Sequence, residues 1–400
     1  MHPGGERVRV AILADDLAGA LDAAVRFRGA GDVAVLLDAG NVERIDAPVV
    51  AVDAASRDGD VQRARSLTHG AAVSLHRLGP LLTYKKMDSQ LRGHFAHEIV
   101  EMLTAGWWGG ALVAPALPEH GRTVRGGRLR QGDVIGPSLV SAFHDVPGAE
   151  YHGVGLEVVR RGHPGLGETL SSLRHNGHRV LACDAETGED LDSLVRAALT
   201  VHELRDWLWC GSAGLAGALS RYLGMGVSSN PPRLPVPFLG VIGSPDPAAR
   251  AQLRAAEQCG LPVLTLSRTQ DVVLQRALLE TAKRHLQRGV GCFLVAPPPG
   301  AAEGHVAAYG RRLADCASFL ATTARPAALI LSGGDTARAV CRTLGLWGLL
   351  VMGEMAPGVP ISRALGPPHA KDLTVVTKAG SFGSPDLWCT LISGHDPGGE

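Results

Sequence analysis

The sequence predicts two α/β domains with mostly parallel sheets flanking an active-site cleft. Two observations carry this. Short apolar runs alternate with helix-like runs through most of the chain, the pattern of parallel strands joined by crossover helices. The alternation stops at MGVSSNPPRLPVP, Met225 to Pro237, whose serines, asparagine and four prolines fit neither period, and restarts beyond it. Four hundred residues leave room for two or three domains, and 45% hydrophobic content suffices for real cores. The expected division is residues 1–225, a linker at 226–237, and residues 238–400.

In the first domain VRVAILADD, Val8 to Asp16, reads as a strand ending in two aspartates, with an alanine-rich helix from Ala18 to Arg28 after it. Further strand-like runs are Asp32 to Asp38, Pro48 to Ala54, Leu81 to Lys86, Gly110 to Ala116, Arg179 to Ala185 and Asp206 to Ser212. Helix-like runs separate most of them: Val61 to Leu78, His94 to Ala105, Asp190 to Thr200 and Ala213 to Leu223. From Glu119 to Gly165 the chain is rich in Gly, Arg, Pro and His without a period, and is expected to be a long loop excursion. In the second domain strands are expected at Phe238 to Ser244, Val263 to Leu266, Gly291 to Ala296, Ala328 to Leu331, Leu349 to Met352 and Leu373 to Thr377. Ligands of such sheets gather beyond the strand C-termini, so functional residues are expected there.

Composition narrows the function. Lys plus Arg equals Asp plus Glu at 39 each, which gives no footprint for nucleic acid or an anionic membrane. The seven cysteines lie far apart with no C-x-x-C, which argues against zinc and against a disulfide framework, and predicts reduced thiols in a cytoplasmic protein. No apolar run approaches the roughly 20 residues of a membrane helix. Only five lysines occur, and three of them, Lys85, Lys86 and Lys378, sit in the motif-like stretches YKKMDSQLRGH and TKAGSFG. Either a compact ammonium is required there or the clustering is chance.

P-loop, dinucleotide, nucleophile-elbow and zincin signatures are absent. What remains in the second domain are three glycine loops, each after an apolar strand: GSPD from Gly243, SGGDT from Ser332 and KAGSFG from Lys378. In LILSGGDTARAV, adjacent glycines allow close backbone approach, and the following helix start favours an anion. A plain strand-to-helix turn capped by Asp335 would look the same locally; three loops converging at one sheet edge favour a phosphate-rich nucleotide. The first domain carries another chemistry: Asp15 and Asp16 after one strand, Lys86, Asp88, Ser89, Arg92 and His94 after another, and Arg122 after a third. Guanidinium grips a carboxylate through two parallel bonds, and an aspartate orients a hydroxyl or takes its proton, so a small hydroxylated acid fits. Helix capping by the Asp pair and a solvated Arg92 are the plainer alternatives; His94, His97 and Glu98 read as exposed helix residues, and no metal-ligand set is readable.

These residues resemble those of the four-carbon acid sugar kinases, which phosphorylate threonate, erythronate or their oxo derivatives. ADDLAGALDAA, KKMDSQLRGHFAHEI, PALPEHGRTVRGG and CGSAGLA are similar to motifs of that family's first domain. VIGS, SGGDTARAV, GEMAPGVP and TKAGSFG resemble its nucleotide-binding half in order and spacing. The resemblance implies ATP- and Mg²⁺-dependent transfer to a terminal hydroxyl, with the acid on residues 1–225 and ATP on residues 238–400. It places ATP against Ser244, Gly333, Gly334, Asp335, Thr336 and Gly380. Asp15, Asp16, Lys86, Asp88, Ser89, Arg92 and Arg122 are the expected acid-binding set. Asp16, Asp15 and Lys86 are the catalytic candidates, with Asp16 the proton acceptor as the last residue of its strand. In extended chain Asp15 then faces the other way. Partners are expected to be the sugar acid and ATP, with no nucleic acid or membrane; a homo-oligomer stays open, as does a kinase of a branched acid or a non-catalytic sensor.

Overall fold

Val10–Ala14 is an unbroken apolar run, and it forms a strand, β1, buried along its whole length, as a strand covered on both faces must be. The computed structural model describes residues 9–204, 206–226, 232–269, 271–298 and 305–393, and falls into two units split between residues 228 and 229. Of the predicted linker, residues 226–237, the part at 227–231 lies outside the described residues.

The first unit continues with β2 (Val33–Leu36), β3 (Val49–Asp53), β4 (Leu82–Lys86), β5 (Ala111–Ala114), β6 (Arg122–Arg125), β7 (Arg128–Gln131), β8 (Val134–Ser138), β9 (Tyr151–Val154), β10 (Val180–Cys183) and β11 (Leu208–Gly211). Its helices are α1 (Leu17–Ala24), α2 (Val61–His76), α3 (Phe95–Thr104), α4 (Leu156–Val159), α5 (Gly165–His175), α6 (Gly188–Thr200) and α7 (Ala213–Tyr222). Eight strands pair in the order β2-β3-β1-β4-β11-β5-β10-β9, every pair parallel. The chain runs outward from β1 to its β3 side and then returns to the other side with β4. Such a reversal opens a crevice at the C-terminal ends of β3, β1 and β4.

The stretch from Glu119 to Gly165 is not a loop excursion. It folds into the antiparallel meander β6-β7-β8 and the edge strand β9, with α4 after it. Four-residue strands such as RTVR and RLRQ bury alternate residues only in part, so no apolar period marks them.

The second unit holds β12 (Phe238–Ile242), β13 (Val263–Thr265), β14 (Cys292–Val295), β15 (Ala328–Ser332), β16 (Gly348–Glu354), β17 (Pro360–Leu365) and β18 (Thr374–Lys378). Its helices are α8 (Pro247–Gln258), α9 (Val272–Gln287), α10 (His305–Thr323), α11 (Gly334–Thr343) and α12 (Leu387–Ser393). The order β13-β14-β12-β15-β18 is parallel, and β17 and β16 extend it antiparallel. Strand β17 escaped the sequence reading because PISRAL carries a charge and a proline. One face packs Phe238, Phe293, Ile330, Val376 and Trp388 into a core under α8 and α12.

The thiols also depart from expectation. Cys259, at the end of α8, is bonded to Cys389 in α12, 130 residues later, because the two helices pack together. The other five cysteines are buried. Among the described residues no helix is long and apolar enough to cross a membrane.

Candidate active site

Strand β1 ends at Ala14, so Asp15 and Asp16 form its exit loop, and Asp16 is not the last strand residue but the cap of α1. Its Oδ1 accepts the Gly19 N–H at 2.8 Å. The capping alternative is therefore real, yet the carboxylate has a second partner. Arg57, in the loop after β3, donates to Asp16 from Nη1 at 2.6 Å and Nη2 at 2.9 Å, and to Asp15 from Nε and Nη2 at 2.9 Å each. The expectation that the two aspartates face opposite ways fails: the strand ends before them, and one guanidinium holds both.

Arg57 is placed by backbone as well. The N–H groups of Ser56 and Arg57 donate to the Asp15 carbonyl. Ala55 just before takes φ 50°, and Leu91 beside Arg92 takes φ 60°, positions that L side chains adopt at a cost of about 1–3 kcal/mol. Two strained loops thus aim two arginines at one sheet edge. Arg57 Nη2 also lies 3.8 Å from Asp88, which Arg92 grips with Nε and Nη2 at 2.8 and 2.9 Å. Sequence reasoning missed Arg57: SRDGD looks like a polar turn, and its only signal was its place after a strand of the same edge.

The rest of the predicted set divides. Arg122 is buried and donates to Ser89 Oγ at 2.7 Å, whereas the Arg92 side chain is 60% exposed. Lys86 Nζ binds the Met87 carbonyl at 2.8 Å and lies over Gly19, where an added Cβ would fall 2.8 Å from it and 2.6 Å from Asp16 Oδ1. Asp15, Asp16, Lys86, Asp88 and Ser89 are thus gathered at the C-terminal edge of adjacent strands. Glu98 is not an exposed helix residue: it is fully buried on α3, paired with Lys85 Nζ at 2.8 Å beneath the site. His94 lies at the start of α3, its ring bonded to the Gly59 carbonyl.

The carboxylates are electrically unequal. Burial raises Asp16, Arg57 offsets part of this, and the neighbouring Asp15 charge raises it again, leaving its pKa above the ordinary value. For Asp15 burial is outweighed by Arg57, Lys85 and Lys86, and the pKa falls. Asp88, buried but bonded by Arg92 and facing Arg57, lies well below the usual carboxylate range. Two adjacent carboxyls pushed apart in this way suit one fixed charge and one proton acceptor. Asp16 is also the reachable one, its side chain 15% exposed against 2% for Asp15.

In the second unit the three glycine loops follow β12, β15 and β18, neighbours in the sheet. They touch: a Cβ on Gly380 would strike Ser244 Oγ, and one on Gly333, at φ 102°, would lie 3.5 Å from Ser244 Cβ. Gly333 precedes α11, which begins at Gly334. Asp335 is exposed in the first turn, and Thr336 is buried with its hydroxyl against Gly243. Side-chain-free backbone at a helix start, with Gly380 and Ser244 beside it, is the surface a polyphosphate needs.

A parallel edge that gathers carboxylates and guanidinium, together with a glycine-loop edge suited to phosphates, is the equipment of a small-molecule phosphotransferase. Comparison with known proteins narrows the class. A family model described as a sugar-binding N-terminal domain matches residues 10–142 and 138–219, and one described as a nucleotide-binding C-terminal domain matches residues 239–388. The chain is 33% identical over 397 residues to a D-threonate kinase of Bordetella bronchiseptica, covering 94% of this chain and 95% of the relative. It is 32% identical over 409 residues to a D-threonate kinase of Cupriavidus necator, covering 93% and 94%. More distant relatives are named 3-oxo-tetronate kinase and D-erythronate kinase. A crystal structure from Salmonella typhimurium shares the fold, with a TM-score of 0.80 at 19% identity over 97% of this chain and all of the other. The chain belongs to the four-carbon acid sugar kinase family.

Proposed function

We propose that the chain transfers the γ-phosphoryl group of ATP to the terminal hydroxyl of a four-carbon sugar acid, with threonate the first choice. The first unit would hold the acid and the second the nucleotide. The observation that carries this is the Asp15–Asp16 pair held by one guanidinium at the sheet edge, with Asp16 the reachable carboxyl and its pKa raised by burial and by the Asp15 charge in spite of Arg57. Asp16 would orient the hydroxyl and accept its proton as the oxygen bonds to the γ-phosphorus and the bond to the bridging oxygen breaks. Arg122 and Arg92 would receive the carboxylate, each charge-assisted contact contributing about 1.5–3 kcal/mol.

The second unit would take the phosphates on the backbone of Gly333, Gly334 and Gly380, with Ser244, Asp335 and Thr336 alongside; a side chain at Gly380 has no room. Mg²⁺ would come with the nucleotide, keeping waters and phosphate oxygens as ligands and offsetting the charge of the transferred group. ATP as donor implies a cytoplasmic setting. Relatives named for threonate are the more similar, while 3-oxo-tetronate and erythronate kinases are more distant, which ranks the acids. ADP release across threonate, erythronate, their oxo forms and branched analogues tests the reading. Threonate should give the highest kcat/KM; no release with any acid overturns it.

A further inference from the structure

The proposed nucleotide site leaves one buried charge without a task. Lys378, at the end of β18, is 1% exposed, and its ammonium donates to the carbonyls of Ala379 at 2.9 Å, Gly380 at 3.0 Å and Phe382 at 2.9 Å. From α8 the amide of Gln252 donates to the carbonyls of Phe382, Gly383 and Ser384 at 2.9, 3.0 and 3.0 Å. Two buried side chains therefore hold five carbonyls between Ala379 and Ser384 from within. In a trans peptide the N–H points opposite to the C=O, so each carbonyl turned in turns the next N–H out.

We propose that Lys378 is the positioning residue of this phosphate loop. Its ammonium fills a carbonyl cage of the kind that elsewhere holds a potassium ion, and by turning those carbonyls inward it presents the N–H groups of Gly380, Ser381 and Gly383 to the nucleotide's phosphates. The inference rests on the nucleotide being held in this unit. Nucleotide binding then needs no added monovalent cation. A compact ammonium with three donors fits such a cage, and a planar guanidinium does not, which accounts for a lysine in an arginine-rich chain. The charged group acting on it is Asp246 at the head of α8; β15 presents Ser332 as its register partner, and α12 contributes apolar Leu387 and Trp388 to that face. Burial brings its pKa down to about 8, against a smaller raising effect of Asp246, so the cage loses a donor within reach of ordinary assays.

The test is ADP binding by calorimetry to the full chain with Lys378→Ala. Affinity should fall at least about tenfold and return with potassium or ethylammonium, while wild type ignores both cations. KM for the acid should stay unchanged. Wild-type affinity in the variant, or a loss that no cation restores, overturns the proposal. Should Lys378→Ala fail to fold, nitrogen-detected NMR of wild-type Nζ without nucleotide decides. Nζ should titrate near pH 8 with the Gly380, Ser381 and Gly383 amides shifting in step; titration near the ordinary value of about 10.4, or without the amides, overturns it. Wild-type protein that binds no ADP while this titration holds refutes the nucleotide reading instead.

Discussion

Asp16 is assigned two jobs that usually exclude each other. It caps α1, which wants a settled carboxylate, and it is offered as a base, which wants an available lone pair. Asp16→Asn keeps the cap shape and removes the basicity, so kcat should fall about 10²–10⁴-fold with ADP binding intact in calorimetry. Loss in Asp15→Asn with near-wild-type Asp16→Asn would move the base one residue back. Arg57 sets the pH scale of the pair, since its charge lowers both carboxyls. With Asp16 as the base, activity should be lost as pH falls through its pKa, and Arg57→Ala should raise that pKa, so the acid limb of kcat/KM should move to higher pH. An unmoved limb would assign it to another group. Of the two candidate anchors, Arg122 is the more shielded from solvent, so Arg122→Ala should raise KM for the acid about tenfold or more, and more than Arg92→Ala.

At the scale of elements, helix α3 brings Glu98 to Lys85 with both side chains fully buried. Removing one partner leaves a charge in apolar surroundings, so Glu98→Gln should cost about 3–5 kcal/mol in urea unfolding. A loss under about 1 kcal/mol would mean the pair is wet. Strand positions were legible wherever both faces are buried, as in β1, β3 and β15, because burial leaves an unbroken apolar run. The meander β6-β7-β8 was not, since its strands are short and exposed along much of their length, and the first two are charged. Candidate site residues were legible at strand ends flanked by charge runs. Arg57 was hidden because what distinguishes it from a turn residue is the Asp pair it meets, 41 residues earlier in the chain. Glu98 was misread because its partner is a lysine within strand β4, outside its own helix.

For the whole molecule, acid stability follows from the same arginines. Asp15 and Asp88 have lowered pKa values in the fold, so their contribution is complete above the unfolded value of about 3.9 and is lost as pH falls through the folded values. The melting temperature should therefore drop steeply below about pH 4, and Arg57→Ala should flatten that drop. Unchanged acid sensitivity in the variant would place it elsewhere.

The seat of β11 between β4 and β5 has a consequence for synthesis. Those two strands leave the ribosome about a hundred residues before Leu208, and until it follows their facing edges have nothing to pair with. A nascent chain halted in that interval displays two open parallel edges, the surfaces on which chains aggregate and chaperones dwell. Translation of the stretch between β5 and β11 is thus the vulnerable window, and a chain terminated at residue 207 should be insoluble while one reaching residue 226 is recovered folded.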